Sequence, residues 1–416
     1  MPRALSRRLF LRHTGSSALA LALLAACAPD SAPTPVAVTP PPTRPADGEI
    51  PATDPHSLDA LADSTPTPIP APAVTLAEKV GQMIMVGFRG LSVDENSPIV
   101  RHIQESHIGS VVLFDYDAPT RTYDRNIQSP AQVAALTAAL QAFSPTPLLI
   151  ATDQEGGKVA RLSPKWGFPA TLSAQELGEM EDLEYVAFLL DEMAATVAAA
   201  GINLNLAPVV DLNTNPDNPV IGAIGRSFGA DAQVVIDHAL TFIGAHRRQG
   251  VLTTLKHFPG HGSSTADSHK GFVDVTDSWS RRELTPYGTL IQQGAVDTIM
   301  TAHVFNEELD RTYPATLSKA TITDLLRDEL GFKGVVISDD MQMGAIADLY
   351  PYADAVALAI NAGVDMLAIA NNSVYDEAIA PRTADLILGM VADGRIPVSR
   401  IDESYARIMA LKAKLR

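Results

Sequence analysis

Eight short apolar runs alternate with amphipathic stretches from residue 76 onward, and this alternation constrains the fold more than any other feature. The apolar runs are bounded by turn residues and cover 83–86, 110–114, 148–152, 203–210, 252–255, 298–301, 335–338 and 365–370. Helical periodicity lies between most of them, for example at 131–143, 183–200, 232–249, 280–293 and 319–329. Such alternation is typical of parallel strands joined by crossover helices. It predicts an α/β fold, a single (β/α)8 TIM-type barrel over residues 76–416; an open doubly wound sheet is the alternative.

Polar and charged side chains follow most of these apolar runs, always on the same side. In a (β/α)8 barrel the carboxyl ends of the strands form one rim, and active sites gather there. We therefore expect an active site at this rim. The groups that follow the apolar runs are Asp153, Asp211, Lys256, His257, His303, Asp339, Asp340, Asn371 and Asn372.

The richest strand end is the segment KHFPGHGSSTADSH, residues 256–269, which holds one Lys, three His and one Asp. Building a fold rarely calls for so many titratable groups at one place, so we interpret the segment as half of an active site. Asp267 and His269 resemble a dyad in which the carboxylate orients the imidazole and raises its basicity, so that the ring serves as acid and then as base. A histidine in an ordinary surface turn is the alternative.

Asp339 follows the apolar run 335–338, which should be buried on both faces. A partly desolvated carboxylate at the mouth of such a strand suits a nucleophile or an electrostatic stabiliser of positive charge. A helix cap is the alternative at this kind of junction, and we expect Asp340 to take that role. Arg161 and Arg226 lie near other predicted strand ends and suit donation to ligand oxygens, with surface ion pairs as the alternative.

A metal site is a further alternative, since His257, His261, His269 and His303 could surround Zn²⁺ together with Asp339. Against this, the chain lacks a His-x-His pair on its first strand and a Cys partner, and Lys256 would place a positive charge beside the metal. We expect no metal and no organic cofactor. The single cysteine also excludes a disulfide framework and any multi-Cys metal site.

The N-terminus carries export signals. Residues 6–11 (SRRLFL) match a twin-arginine pattern, and a short apolar run leads to the segment LAAC that ends at Cys27. We predict a signal peptide over residues 1–26 and Cys27 as a lipid anchor, with plain secretion as the alternative. Residues 27–75 are rich in Pro, Ala and Thr and contain no aromatic residue, so they predict an extended tether.

The charge of the chain limits its partners. The formal net charge is −17, and residues 1–26 hold four Arg and no acid, so the mature protein would carry −21. Such a charge disfavours nucleic acids and anionic membrane surfaces. We therefore expect contact with a membrane only through the lipid anchor, in the cell envelope, and we expect a monomer.

Taken in order, these motifs resemble those of glycoside hydrolase family 3, specifically its single-domain β-N-acetylglucosaminidases. The resemblance covers nearly all of residues 76–410, and the segment KHFPGHG is its most specific part. It rests on residues 76–83 (LAEKVGQM), 153–157 (DQEGG), 225–229 (GRSFG), 256–262 with 267–269, 300–303 (MTAH) and 338–341 (SDDM).

The resemblance implies a role for each matching residue. Asp339 would be the nucleophile, His269 the general acid/base and Asp267 its dyad partner. Lys158 stands where the family usually has Arg, which puts a secondary contact in doubt because Lys lacks the planar fork of donors. The residues implied to hold the sugar hydroxyls and the N-acetyl arm are Asp153, Arg161, Arg226, Lys256 and His257.

The resemblance also implies a retaining mechanism through a covalent glycosyl-enzyme, on a β-linked N-acetylglucosaminide such as a peptidoglycan fragment. Larger relatives take their acid/base from a second domain. Only 77 residues follow Asp339, so we expect the barrel's own loop with His269 to supply it. Three alternatives remain: a phosphorylase, a β-glucosidase, and a sugar-binding lipoprotein without catalysis.

Overall fold

The computed structural model describes residues 74–415. The predicted signal peptide, Cys27 and all but the last two residues of the predicted tether lie outside this part of the chain. Within it, no helix is both long enough and apolar enough to cross a bilayer.

Eight parallel strands form one sheet in which each strand pairs with the next one along the chain. The sheet closes because Met366, just before the last strand, pairs with Ile337 in the strand before it. This sequential order and closure confirm the barrel and exclude the doubly wound sheet, whose strand order reverses at a switch point. The strands are β1 (Ile84–Gly87), β2 (Ser110–Val112), β3 (Leu149–Thr152), β6 (Leu204–Asn205), β7 (Leu252–Phe258), β8 (Thr298–Thr301), β9 (Val335–Ile337) and β10 (Leu367–Ile369), with a small antiparallel pair formed by β4 (Gln154–Gly156) and β5 (Val159–Ala160).

Helices connect the strands on the outside of the barrel. Several begin at polar caps that the sequence supplies, such as Thr75, whose hydroxyl accepts the N–H of Glu78 while Glu78 binds back to the Thr75 N–H. The helices are α1 (Leu76–Gln82), α2 (Pro98–Glu105), α3 (Pro130–Phe143), α4 (Ala174–Gly178), α5 (Leu183–Ala199), α6 (Ala232–Arg248), α7 (Thr285–Gln292), α8 (Gly344–Ala347), α9 (Tyr352–Ala362), α10 (Ile379–Ala392) and α11 (Val398–Lys412), with a π-helix at Ala320–Glu329.

Two predicted elements differ from the observed ones, in each case at a proline. The helix expected over 280–293 is a 3₁₀ turn, Arg281–Leu284, followed by α7, because Pro286 has no N–H and fits the first turn of a new helix. The strand expected over 203–210 is regular only in β6. Pro208 lacks the N–H that a ladder needs, and pairing with β7 resumes between Val209 and Lys256.

The seam between β9 and β10 is held by a buried carboxylate, Asp365, at the amino end of β10. Its oxygens bind Arg327 at 2.6 Å, Arg400 at 2.8 Å and Arg407 at 3.0 Å. Burial alone would raise the pKa of Asp365, but the three guanidinium groups outweigh it and hold that pKa below its ordinary value. The contact ties the π-helix and α11 to the end of the barrel opposite the polar rim.

Candidate active site

A cavity of about 400 Å³ opens at the carboxyl ends of the strands. Apolar side chains such as Met300 and Ile224 form part of its wall. Seven of the eight residues that the sequence predicted for the site line this one cavity, and the eighth, Asp267, binds one of the seven, His269. The seven are Asp153, Arg161, Arg226, Lys256, His257, His269 and Asp339.

Lys256 lies at the floor of the cavity, near the carboxyl end of β7, and its side chain is placed between two carboxylates. Its Nζ lies 2.8 Å from Asp153 Oδ1 and 2.6 Å from Glu155 Oε1, and the side chain is almost completely buried. Burial would lower the pKa of Lys256, but the two anions outweigh it and raise that pKa above its ordinary value. The ammonium is therefore charged and fixed, and it holds both carboxylates in place.

Glu155, in the short strand β4, carries a second cation. Arg226 binds both its oxygens, with Nε to Oε2 at 2.7 Å and Nη2 to Oε1 at 2.8 Å. Burial would raise the pKa of Glu155, but the charges of Arg226 and Lys256 lower it to about 2. A fifth side chain extends the network, since Arg161 lies 3.5 Å from Asp153 Oδ2 and 3.9 Å from Asp115 Oδ1.

Asp211 joins two parts of the site through one carboxylate. Its Oδ2 accepts from His257 Nδ1 at 2.7 Å, and its Oδ1 accepts the backbone N–H of His261 at 2.8 Å. The Nη2 of Arg226 lies 3.3 Å from His257 Nε2. A guanidinium can only donate, so Nε2 accepts and the ring proton of His257 resides on Nδ1, facing Asp211. Arg226 and Asp211 thereby fix the ring of His257 at the cavity wall.

Asp339 follows β9 at the rim and lines the cavity. Its Oδ1 accepts the N–H of Asp340 at 2.8 Å, the one hydrogen bond to this carboxylate within residues 74–415. Burial would raise the pKa of Asp339, but the imidazoles of His303, His257 and His269 together with that N–H hold it below its ordinary value. The carboxylate is therefore ionised at neutral pH, with Oδ2 free for a ligand.

The neighbouring Asp340 corrects one expectation, because it does not cap a helix. Helix α8 begins after Met343 without a side-chain cap. Asp340 Oδ1 instead accepts the backbone N–H groups of Gln342 and Ala370, and so joins the loop after β9 to the end of β10. Burial, with a smaller contribution from the Asp339 charge, raises the pKa of Asp340 to about 6.

Asp267 and His269 form the predicted pair on a loop that we call the dyad loop, residues 265–272. His269 Nδ1 donates to Asp267 Oδ1 at 2.9 Å, and its backbone N–H donates to the same oxygen. Burial would raise the pKa of Asp267, but the hydrogen bonds from His269 and the nearby Lys270 lower it. The His269 side chain is 63% exposed, and it lines the mouth of the cavity that Asp339 lines deeper down.

Sequence reasoning singled out some of these residues and missed others. Glu155 stood inside a quoted motif, and Asp211 stood at a strand end, but neither was given a place in the site. The signal for Glu155 was the buried Lys256, which needs carboxylates around it, and the signal for Asp211 was its place after an apolar run. Lys158, the departure from the family pattern, is exposed and does not line the cavity.

The histidines of the site do not come together as a metal centre. His303 donates from Nε2 to the carbonyl oxygen of Asp340 at 3.0 Å and contacts Thr316 through Nδ1 at 2.7 Å. Among residues 74–415, no group of three or more His, Cys, Asp or Glu side chains has the arrangement that a metal ion needs.

Comparisons with known proteins agree on one family. The family model described as "Glycosyl hydrolase family 3 N terminal domain" matches residues 75–411. Beta-hexosaminidase A of Pseudoalteromonas piscicida is 32% identical over 398 residues, covering 86% of this chain and 64% of that protein. Beta-hexosaminidase LpqI of Mycobacterium tuberculosis is 32% identical over 412 residues, covering 97% of each chain.

The fold is similar to that of a solved family member. A glycoside hydrolase family 3 beta-N-acetylglucosaminidase from Paenibacillus sp. FPU-7 matches with a TM-score of 0.74 and 37% identity, over 82% of this chain and 63% of that chain. The chain thus spans slightly less than two thirds of the Pseudoalteromonas and Paenibacillus proteins, but almost the whole mycobacterial one.

Proposed function

The chain belongs to glycosyl hydrolase family 3, and on that premise we propose that it is a retaining exo-β-N-acetylglucosaminidase. One observation carries the proposal. The ionised carboxylate of Asp339 and the imidazole of His269 line a single cavity, with a cation-rich, hydrogen-bonding wall beside them. Relatives named beta-hexosaminidase support the choice of an N-acetylhexosaminide as the substrate.

In the first step Asp339 Oδ2 attacks the anomeric carbon. The glycosidic C–O bond breaks as the new C–O bond to the carboxylate forms, through an oxocarbenium-like state that the carboxylate stabilises. His269 Nε2 gives its proton to the leaving oxygen, while Nδ1 keeps its proton toward Asp267. The negative charge of Asp267 stabilises the imidazolium form that this acid step requires.

In the second step a water molecule replaces the leaving group. The now neutral His269 takes a proton from the water, the oxygen attacks the anomeric carbon, and the bond to Asp339 breaks. Two inversions give net retention. The remaining polar wall binds the sugar, with the carboxylate of Asp153, the donors Arg161 and Lys256 and the imidazole ring of His257 placed for its hydroxyl and N-acetyl groups.

We further propose that the enzyme works outside the cytoplasm on peptidoglycan fragments. The twin-arginine pattern and Cys27 support export and anchoring through a lipid. Metabolic labelling with a radioactive fatty acid tests the anchor, because Cys27→Ser should abolish the label while the export pattern stays intact. Label that persists in this variant would contradict it.

The decisive assay uses chromogenic N-acetyl-β-glucosaminide. Asp339→Asn should lower kcat by about 10³-fold or more, because the amide is a far weaker nucleophile, while the fold stays intact. Asp277→Asn, in an exposed position that does not line the cavity, is the matched control and should match the wild type. Loss of less than tenfold for Asp339→Asn would overturn the nucleophile assignment.

Phosphorolysis is the second candidate, because the acid/base is an imidazole. An imidazole repels phosphate less than a second carboxylate would. The same assay with and without phosphate, with the products identified, separates the two reactions. A sugar 1-phosphate as the main product would favour the phosphorylase. Tight binding of the N-acetylglucosaminide without turnover would instead favour a sugar-binding lipoprotein.

A further inference from the structure

The hydrogen bonds between Asp267 and His269 do not fix the dyad loop relative to the rest of the barrel. The contacts of His269 with Asp267 run between two residues of the same loop, so they fix the ring relative to the loop but not relative to Asp339. Thr265, His269, Lys270 and Phe272 are all exposed. Something outside the loop must therefore set the position of the imidazole over the cavity.

Ser268 is the buried residue of this loop and one of its points of attachment, beside the weaker hydrogen bond from the Gly344 N–H to the His269 carbonyl oxygen at 3.4 Å. It is 2% exposed, although it stands between Asp267 and His269. Its hydroxyl Oγ lies 3.1 Å from His261 Nε2. Its carbonyl oxygen accepts the N–H of Ala345 at 3.2 Å, in the segment that follows Asp339.

His261 is in turn held on three sides. Its Nδ1 lies 2.8 Å from Ser264 Oγ, its N–H donates to Asp211 at 2.8 Å, and its ring packs edge-on against that of His257. Burial lowers the pKa of His261 to about 4, so the ring is neutral at neutral pH. A neutral imidazole donates from one nitrogen and accepts at the other, which suits two hydroxyl partners.

We propose that His261 is a positioning residue that fastens the general acid at Ser268. The inference rests on the proposed role of His269, and it adds a function for a residue that touches neither the sugar nor the reacting atoms. Through Asp211 the attachment extends to His257 in the sugar-binding wall, so that binding and protonation share one rigid support. Without the His261 contact, His269 would lose its fixed position and protonate the leaving group less efficiently.

The test exploits the leaving group. A sugar leaving group, as in N,N′-diacetylchitobiose, needs a proton, whereas 2,4-dinitrophenolate departs without one. Because kcat/KM reports on steps up to the first bond cleavage, it isolates the acid role. His261→Ala should lower kcat/KM about 30-fold on the disaccharide and by no more than about threefold on the dinitrophenyl glycoside. His261→Gln, which keeps a polar side chain that can face Ser268, should recover most of the loss.

Matched variants separate positioning from general damage. His238→Ala removes another buried histidine, which lies on α6 and does not line the cavity. It should change kcat/KM for both substrates by the same small factor. Ser268→Ala should reproduce the pattern of His261→Ala, and the double variant should lose no more than either single variant, because both remove one contact.

Two results would overturn the inference while the proposed function stands. The first is an equal fold-loss of kcat/KM on both substrates for His261→Ala. The second is a fold-loss of kcat/KM for the double variant that equals the product of the fold-losses of His261→Ala and Ser268→Ala. The proposed function has its own control in His269→Ala. If that variant loses equally on both substrates, the acid assignment itself fails and this inference fails with it.

Discussion

Replacing Glu155 by Gln tests the charge network beneath the cavity. The carboxylate is buried and binds Lys256 at 2.6 Å and Arg226 through two hydrogen bonds. A pKa lowered from 4.5 in the unfolded chain to about 2 in the folded protein corresponds to about 3 kcal/mol of stability, since one pH unit is worth about 1.4 kcal/mol. Gln keeps the shape but not the charge, so the variant should lose about this free energy of unfolding at pH 7.

The pH dependence gives this prediction its sign. The folded-state pKa of Glu155 is depressed, so its contribution is complete above pH 4.5 and disappears as the pH falls toward 2. The difference between wild type and Glu155→Gln should therefore shrink to roughly 1.4 kcal/mol at pH 3. Urea unfolding followed by tryptophan fluorescence measures it at both pH values.

A surface carboxylate supplies the control. Glu181 is exposed, and Glu181→Gln should change the unfolding free energy by less than about 0.5 kcal/mol at either pH. Equal stabilities of wild type and Glu155→Gln at pH 7, or a deficit that stays constant down to pH 3, would refute the reasoning that Arg226 and Lys256 stabilise an ionised Glu155.

Four further substitutions probe other parts of the structure. Burial raises the pKa of Asp340 to about 6, so the wild type loses stability as the pH rises from about 4 through that value. Asn does not ionise, so the melting temperature of Asp340→Asn relative to that of the wild type should rise between pH 4 and pH 7 and stay constant above pH 7. Gly262→Ala should lower the free energy of unfolding by at least about 3 kcal/mol or prevent soluble expression, because its Cβ would lie 1.7 Å from the carbonyl oxygen of Leu212. Gly389→Ala is its control, since the site on α10 is open, and it should raise the free energy of unfolding by about 0.5–1 kcal/mol. Asp365→Asn should cost about 3–5 kcal/mol in urea unfolding by leaving three guanidinium groups without their carboxylate, and a loss below 1 kcal/mol would contradict that account.

Much of the fold could be predicted because each barrel strand is a short apolar run bounded by turn residues. All eight predicted strands are present, and seven of them begin and end within three residues of their predicted bounds. The errors arise where local chemistry overrides periodicity. Pro286 splits one predicted helix and Pro208 shortens one predicted strand, since neither can donate a backbone hydrogen bond.

The site was predictable to the extent that its residues stand at strand ends. Asp153, Lys256 and Asp339 could be placed at one rim because parallel strands share their direction. Asp340 was misassigned because sequence does not show whether a carboxylate after a strand caps the next helix or binds a neighbouring strand. The sequence does not show which charged side chains pair inside the cavity. Glu155 and Arg226, for example, are 71 residues apart in the sequence, and no local pattern indicates that they come into contact.

The shared carboxylate of Asp211 limits how this enzyme can be redesigned. One side chain supports both His257 and His261, so on the roles proposed above a library that varies either histidine would change substrate recognition and proton delivery at once. Selections for a new sugar preference are better directed at wall positions outside that support, such as Ile224 and Met300. There, diversity can accumulate without disturbing the chemistry.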